Sequence, residues 1–256
     1  MFGLLTQRKR VMACGCSHGT FINRAVADEL LAFKRDFKPD FTLHLGDFLD
    51  TTAFLRSAGA QERGESIVED CREGIDFLKE LEPTHVFIGN HDFRLYKELK
   101  SNSAKDNTAA LYVLDRLKAA CSIIGCELVP YTGTLSTLGW RKIGNVVFGH
   151  GVMYNESAGR DHAEMFGTTT VFAHTHKMIR QPGRTMARTE GLSVGCLCDK
   201  PAMTYAAGRR STAAWDNGWM YGEISGRDEC LQLYKARTAT RETVPEISLS
   251  MQSETQ

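Results

Sequence analysis

Residues 11–13 form an unbroken apolar run that follows Arg8-Lys9-Arg10 and stops at Cys14-Gly15. A short apolar run bounded in this way predicts a buried first strand. Val26, Leu30, Phe33 and Phe37 then recur at the spacing of one helix face, with Thr20 as the cap and Pro39-Asp40 as the stop. Residues 41–45 predict a second strand, with Gly46-Asp47 as its exit turn. Residues 52–81 are helical in pattern and charged on one face, most simply a solvated face, and Pro83 closes them. Residues 85–88 predict a third strand that ends at Gly89-Asn90. The order strand, helix, strand, helix, strand is an α/β layout, and polar residues stand at each strand exit.

Residues 93–120 keep the helical pattern, with a polar break at 101–107. After Cys121 the texture changes. The runs 127–131, 134–138, 142–148 and 170–172 alternate or are rich in β formers, and Gly and Asn separate them. They predict a second sheet. Asn217-Gly218, set between Trp215 and Trp219, is a hairpin-turn signal. The two tryptophans read as anchors of that hairpin on a core, with stacking on a base as the alternative. Residues 238–256 are polar and aperiodic, which predicts a frayed tail behind a single domain of residues 1–237.

Charge narrows the function classes. The chain has 31 basic and 31 acidic residues, whereas a nucleic-acid coat or membrane-surface binder is more often strongly basic. Local patches can still meet a nucleic acid. The first ten residues lack an apolar signal core, and no apolar run reaches the length that crosses a bilayer. A soluble protein of the reducing cytoplasm is expected, in which the eight cysteines stay free or bind metal. Cys14 reads as a buried strand-end thiol, and Cys196 and Cys198 as partly buried thiols on one strand face.

Five motifs bring candidate chemistry: Cys16-Ser17-His18, Gly46-Asp47-Phe48-Leu49-Asp50, Gly89-Asn90-His91-Asp92, Gly149-His150 and Ala173-His174-Thr175-His176. Each is weak alone. Together they supply the carboxylate, imidazole, amide and thiolate groups of a two-metal hydrolytic centre. Five of the eight histidines fall inside these motifs, which sets them apart from His44 and His85, read as ordinary strand histidines.

In this order the motifs resemble those of the calcineurin-like metallophosphoesterases. The family pattern is Asp-x-His, Gly-Asp-x-x-Asp, Gly-Asn-His-Asp/Glu, Gly-His and Gly-His-x-His. The resemblance covers most of residues 11–177, and the segment after Gly191 is similar to the closing hairpin of small phage-encoded members. It implies a four-layer α/β/β/α sandwich of two mixed sheets with the site on the loops after the strands. It implies two divalent transition-metal ions (Mn, Fe or Zn) and a bridging hydroxide. Asp47 would bridge both metals. Cys16, His18 and His176 would complete the first, and Asn90, His150 and His174 the second. His91 would bind no metal and would act on the leaving group, with Asp50 orienting its ring.

Two positions depart from the pattern. Ala173 replaces the usual Gly, a change that is tolerated unless the backbone there needs positive φ. Cys16 stands where most members have Asp, and its softer thiolate shifts preference toward Zn or Fe and away from Mg. RNA lariat debranching enzymes resemble the chain at this first motif alone. The implied activity is metal-dependent phosphoester hydrolysis by a phosphodiesterase, with nucleic acid as a candidate substrate. The alternatives are a phosphomonoesterase acting on a small molecule or phosphoprotein, and a non-catalytic scaffold of the same fold. Arg160 and His162, in the polar segment Gly159-Arg160-Asp161-His162, are candidate substrate contacts, as are Arg209 and Arg210. For all of them a solvated loop is the plain alternative.

Overall fold

A computed structural model of the chain describes residues 7–55, 66–131, 137–203, 206, 212–226 and 228–237. The tail from 238 on, Arg209, Arg210 and the helical pattern at 56–65 lie outside the described residues.

The first half builds β1 (Lys9–Cys14), α1 (Arg24–Phe37), β2 (Phe41–His44), α2 (Ile67–Leu81), β3 (His85–Phe87), α3 (Phe93–Glu98), α4 (Ala104–Ile124) and β4 (Glu127–Val129). Strands β1 to β4 run parallel, and α1, α2 and α4 pack on one face of them. The two-residue period of a strand sorts its side chains. In β1, Val11 and Ala13 enter one buried cluster, while Met12 and Cys14 enter another with Val26 and Leu30 of α1. In β3, Phe87 joins the first cluster and Val86 meets the helices.

The second half builds β5 (Trp140–Ile143), β6 (Val146–Gly149), α5 (Ala158–Phe166), β7 (Thr170–Phe172), β8 (Met178–Pro182) and β9 (Glu190–Val194). These strands form a second mixed sheet in the order β5-β6-β7-β9-β8. Phe148, Val171, Leu192 and Val194 face the first sheet, while Val147 and Phe172 face Ala158 of α5. The layers are therefore helices, sheet, sheet, helix, as expected. Finally β10 (Gly218–Ile224) pairs antiparallel with β1, and β11 (Glu229–Lys235) closes that edge. Among the described residues no helix is long and apolar enough to cross a membrane.

Several local expectations need correction. Thr20 does not cap α1. It lies in a 3-10 turn, and Asn23 is the cap, its side chain accepting from Val26 N at 3.3 Å. Helix α2 starts only at Ile67, where Ser66 Oγ accepts from Glu69 N, and Thr52–Phe54 is a separate 3-10 turn. The polar break at 101–107 is the junction of two helices, with Ser103 capping α4. The run 127–131 joins the first sheet, because α4 is a crossover that returns the chain parallel to β3. The run 134–138 falls mostly outside the described residues, and 142–148 is split by Gly144-Asn145 into the β5/β6 hairpin. Asn217-Gly218 turns no hairpin. The Asn217 amide donates to the carbonyls of Cys196 (3.2 Å) and Cys198 (2.9 Å), and the closing β10/β11 pair is joined past Ser225, whose N donates to Asp228 O at 2.8 Å. Trp219 does anchor that hairpin, stacked on Tyr234 with centroids 4.4 Å apart.

Candidate metal centre

The carboxyl ends of β1, β2 and β3 in one sheet and of β6 and β7 in the other converge on one rim. Each strand there hands its chain to a motif loop. These loops are unusual in backbone conformation. Cys16 (φ 53), His18 (53), Asp47 (54), Thr51 (53), His174 (63) and His176 (58) are all left-handed. L-residues pay about 1–2 kcal/mol for this conformation, so something outside the local sequence must hold it. Part of the answer is hydrogen bonding between loops. Cys16 N donates to Gly46 O at 2.9 Å, His18 N to Asp47 O at 3.0 Å, and Ala173 N to His150 O at 3.0 Å.

A larger part is Asp92, which is fully buried. Its Oδ2 accepts from Asp47 N (2.7 Å) and Gly89 N (2.8 Å), and its Oδ1 from Leu49 N (3.0 Å). One carboxylate thus clasps the loops after β2 and β3. Burial, with the nearby Asp47 charge, raises its pKa to about 7. Asp70 of α2 clasps the next turn, accepting from Asp50 N (3.1 Å) and Thr51 N (2.9 Å), and burial raises it to about 6. Gly89 has to be a glycine, since a Cβ would lie 2.1 Å from Asp47 Oδ1. Gly15 likewise leaves room for the Ala173 methyl, and Ala173 is not left-handed, so Ala fits there without strain.

Within this frame the side chains fall into two groups. Cys16, His18, Asp47 and His176, all buried, bring their ligand atoms within 4.8 Å of one another. Asp47, His150 and His174 do the same. Asn90 Oδ1 joins the second group, 2.9 Å from His150 Nε2 and 2.8 Å from His174 Nδ1. Asp47 belongs to both.

The histidine partners fit ligation by a cation. His150 Nδ1 donates to Leu45 O at 2.8 Å, which leaves an Nε2 lone pair toward Asp47 and Asn90. His18 Nδ1 lies 2.8 Å from Asp50 Oδ1, which leaves its Nε2 aimed at His176 Nε2, 3.1 Å away. A second-nitrogen partner that fixes the tautomer is the usual support of a metal-binding imidazole. Thiolate, carboxylate, amide and imidazole donors together suit zinc, iron or manganese. Burial, aided by the Asp47 charge, pushes the Cys16 thiol well up, so this sulfur ionises only when a cation meets it. Burial, with the other rings nearby, also pulls His174 down to about 3 and His176 well below the usual range.

His91 forms a further cluster with His18 and Asp50. Its Nδ1 lies 2.8 Å from Asp50 O and 3.2 Å from Asp50 Oδ1. Burial pulls its pKa down, but the Asp47 and Asp50 carboxylates outweigh this and the net shift is upward. Asp50 therefore meets His91, and it also holds His18. Its own pKa is lowered, burial being overcome by hydrogen bonds from the two rings.

Of the candidate substrate contacts, Arg160 and His162 are not brought here. His162 is not in a loop but inside α5, fully buried. Its Nδ1 donates to Ala158 O at 2.7 Å and its Nε2 accepts from Val152 N at 3.1 Å, so neither nitrogen remains for a substrate. Arg160 reaches Pro182 O at the end of β8 remote from His176. Arg94 is the cation beside the centre, its Nη1 donating to Asp50 O at 2.9 Å. Sequence reading passed over it because only the first turn of α3, just after the Gly-Asn-His-Asp motif, brings it back. His44 is the buried strand histidine expected, bonded to Ser17 Oγ at 3.1 Å.

A fold of two mixed sheets with paired ligand groups on one rim defines a metal-dependent hydrolase. The chain belongs to the calcineurin-like phosphoesterase family, whose model matches residues 9–178. No curated protein matches it. Among solved structures it is similar to a metallophosphoesterase of Sphaerobacter thermophilus, at 15% identity with 90% of each chain covered and a TM-score of 0.45. It is similar to a phosphatase of Mycoplasma pneumoniae, at 11% identity with 90% of this chain and 95% of that chain covered and a TM-score of 0.45. It is also similar to vacuolar protein sorting 29 of Cryptosporidium parvum, at 15% identity with 91% and 93% covered and a TM-score of 0.45.

Proposed function

We propose that the chain is a phosphodiesterase that works with two divalent transition-metal ions, and that nucleic acid is among its substrates. The observation that carries this reading is the membership of Asp47 in both ligand groups. Cys16, His18 and His176 would hold one ion with it, and Asn90, His150 and His174 the other. Bound there, the ions supply Lewis acidity and lower the pKa of a water.

The chain's own groups do the rest. Asp47 accepts from His91 N at 2.8 Å, which ties the shared ligand to the backbone of the candidate acid. Asp50 O and Oδ1 hold His91 Nδ1, so the other ring nitrogen is free to give a proton to a leaving oxygen. The Asp47 and Asp50 carboxylates shift the His91 pKa upward, which favours the proton-bearing ring. Arg94, beside Asp50, offers a guanidinium to phosphate oxygens. The likeness of the Cys16 motif to that of lariat debranching enzymes supports a diester over a monoester.

The test is turnover of bis(p-nitrophenyl) phosphate against p-nitrophenyl phosphate, on protein prepared without oxygen and loaded with Mn, Fe or Zn. The diester should turn over faster, and single-stranded oligonucleotides then follow as substrates. Faster monoester turnover would make the chain a phosphomonoesterase. His91→Ala should keep its metal and lose about 10²–10⁴ in rate, whereas Asp47→Asn should lose both metal and rate. Full activity in Asp47→Asn would end the shared-ligand reading.

A further inference from the structure

Cys196 and Cys198 lie outside the five motifs, yet they sit against the first ligand group. They flank Leu197, whose amide donates to Cys16 O at 3.1 Å. Both belong to extended backbone, Cys196 bridging to Asn217 and Cys198 to Ile22. Residues two apart on an extended segment project to one side. Both thiols are buried in the core between the sheets, where Cys16 is also found. The Asn217 amide, bonded to both carbonyls, fixes the spacing of the pair.

The ligand atoms of Cys196, Cys198 and His176 lie within 4.8 Å of one another. Two thiolates about 2.3 Å from a tetrahedral zinc are about 3.8 Å apart, so a small contraction closes such a site. His176 supplies a second, independent observation. Its Nε2 faces His18 Nε2 in the first ligand group. Its Nδ1 is buried and has no hydrogen-bond partner among the described residues. Such an unpaired buried atom is costly, and a metal-binding imidazole normally gives its second nitrogen a partner. The Cys196 and Cys198 thiols are the further ligand groups clustered with this ring.

We propose that Cys196, Cys198 and His176 form a third metal position, for a thiophilic cation such as zinc, which shares the His176 ring with the first ligand group. Binding releases the two thiol protons and the imidazole proton to solvent, and the ring then bridges two cations. The hydrogen bond with Cys196, together with burial, raises the Cys198 thiol well up, and a bound cation would displace its proton. The third position does not depend on the substrate reading.

Cobalt(II) is the probe. Reduced, metal-free full-length protein is titrated under argon, following the sulfur-to-cobalt charge-transfer absorption and the metal retained after gel filtration. The native sequence should retain one equivalent more than the Cys196→Ser/Cys198→Ser variant. Cys16→Asp, which removes the other nearby thiol, should keep that equivalent and a two-thiolate absorption. If the serine variant is poorly folded by circular dichroism, Cys196→Ala/Cys198→Ala suits the apolar surroundings and gives the same comparison. Equal cobalt content in the native and double-variant proteins would overturn the proposal. So would a Cys16→Asp protein without sulfur-to-cobalt absorption, or thiol counting that finds Cys196 and Cys198 joined as a disulfide. Failure of the two-metal reading would instead lower every protein's count and leave the one-equivalent difference in place.

Discussion

His18 and His162 are both fully buried imidazoles, and their partners give them opposite chemistry. His162 uses both nitrogens inside the protein, while His18 uses one and turns the other toward His176. The consequence for His162 is measurable. Burial lowers its pKa from 6.5 to about 4. Between those values the unfolded chain holds a proton that the folded chain lacks. Stability is therefore complete above pH 6.5 and is lost as the pH falls toward 4, by about 3 kcal/mol for this one group. Asp70, raised to about 6, acts in the opposite direction, so the comparison has to be made between variants. His162→Gln should lose about 3 kcal/mol less than the native sequence between pH 7 and pH 4, as read by urea unfolding at each pH. Equal losses would show that charging this ring is not the cost. The sequence offers His162 as a candidate substrate contact in a polar segment, because its two actual partners are main-chain atoms that carry no residue signature.

At the scale of elements, the loops after β2 and β3 behave as one unit because Asp92 ties three of their amides together. Removing that carboxylate leaves buried N–H groups unpaired, each worth about 1–3 kcal/mol. Asp92→Ala should lower the unfolding free energy by about 4 kcal/mol and reduce metal retention, both read on the same preparation. An unchanged unfolding midpoint would show that the loops hold themselves. Strands β1, β2 and β3 were legible because each apolar run ends in a polar motif, and the side chains of the two clusters were legible as parts of those motifs. What was not legible depends on distance along the chain. The place of β4 in the first sheet is decided by α4 crossing back, not by residues 127–129. Asp70 acts on residues some twenty positions earlier, through backbone. Asn217-Gly218 has the composition of a tight turn, but the Asn217 amide is used across the fold at Cys196 and Cys198.

For the whole molecule, the two ligand groups join the two sheets. Cys16, His18, Asp47 and Asn90 follow strands of the first sheet, and His150, His174 and His176 follow strands of the second. A cation held in either group would therefore cross-link the layers and help to hold the left-handed loops. A ligand at a thousand times its Kd stabilises by about 4 kcal/mol. Chelation should accordingly lower the thermal midpoint by several degrees, with amide exchange rising first at residues 15–18, 46–51 and 173–176. Identical midpoints with and without chelator would show that the sheets are joined by their apolar faces alone.

The candidate ligand groups lie on one rim, and among the described residues none lies on the opposite rim. The β8–β9 connection sits there, with Met186 wholly exposed at its tip. Exposed tips tolerate new chain. A fluorescent protein spliced in after Met186 should leave metal content and turnover as they were, which would make the enzyme traceable in living cells without touching its working end.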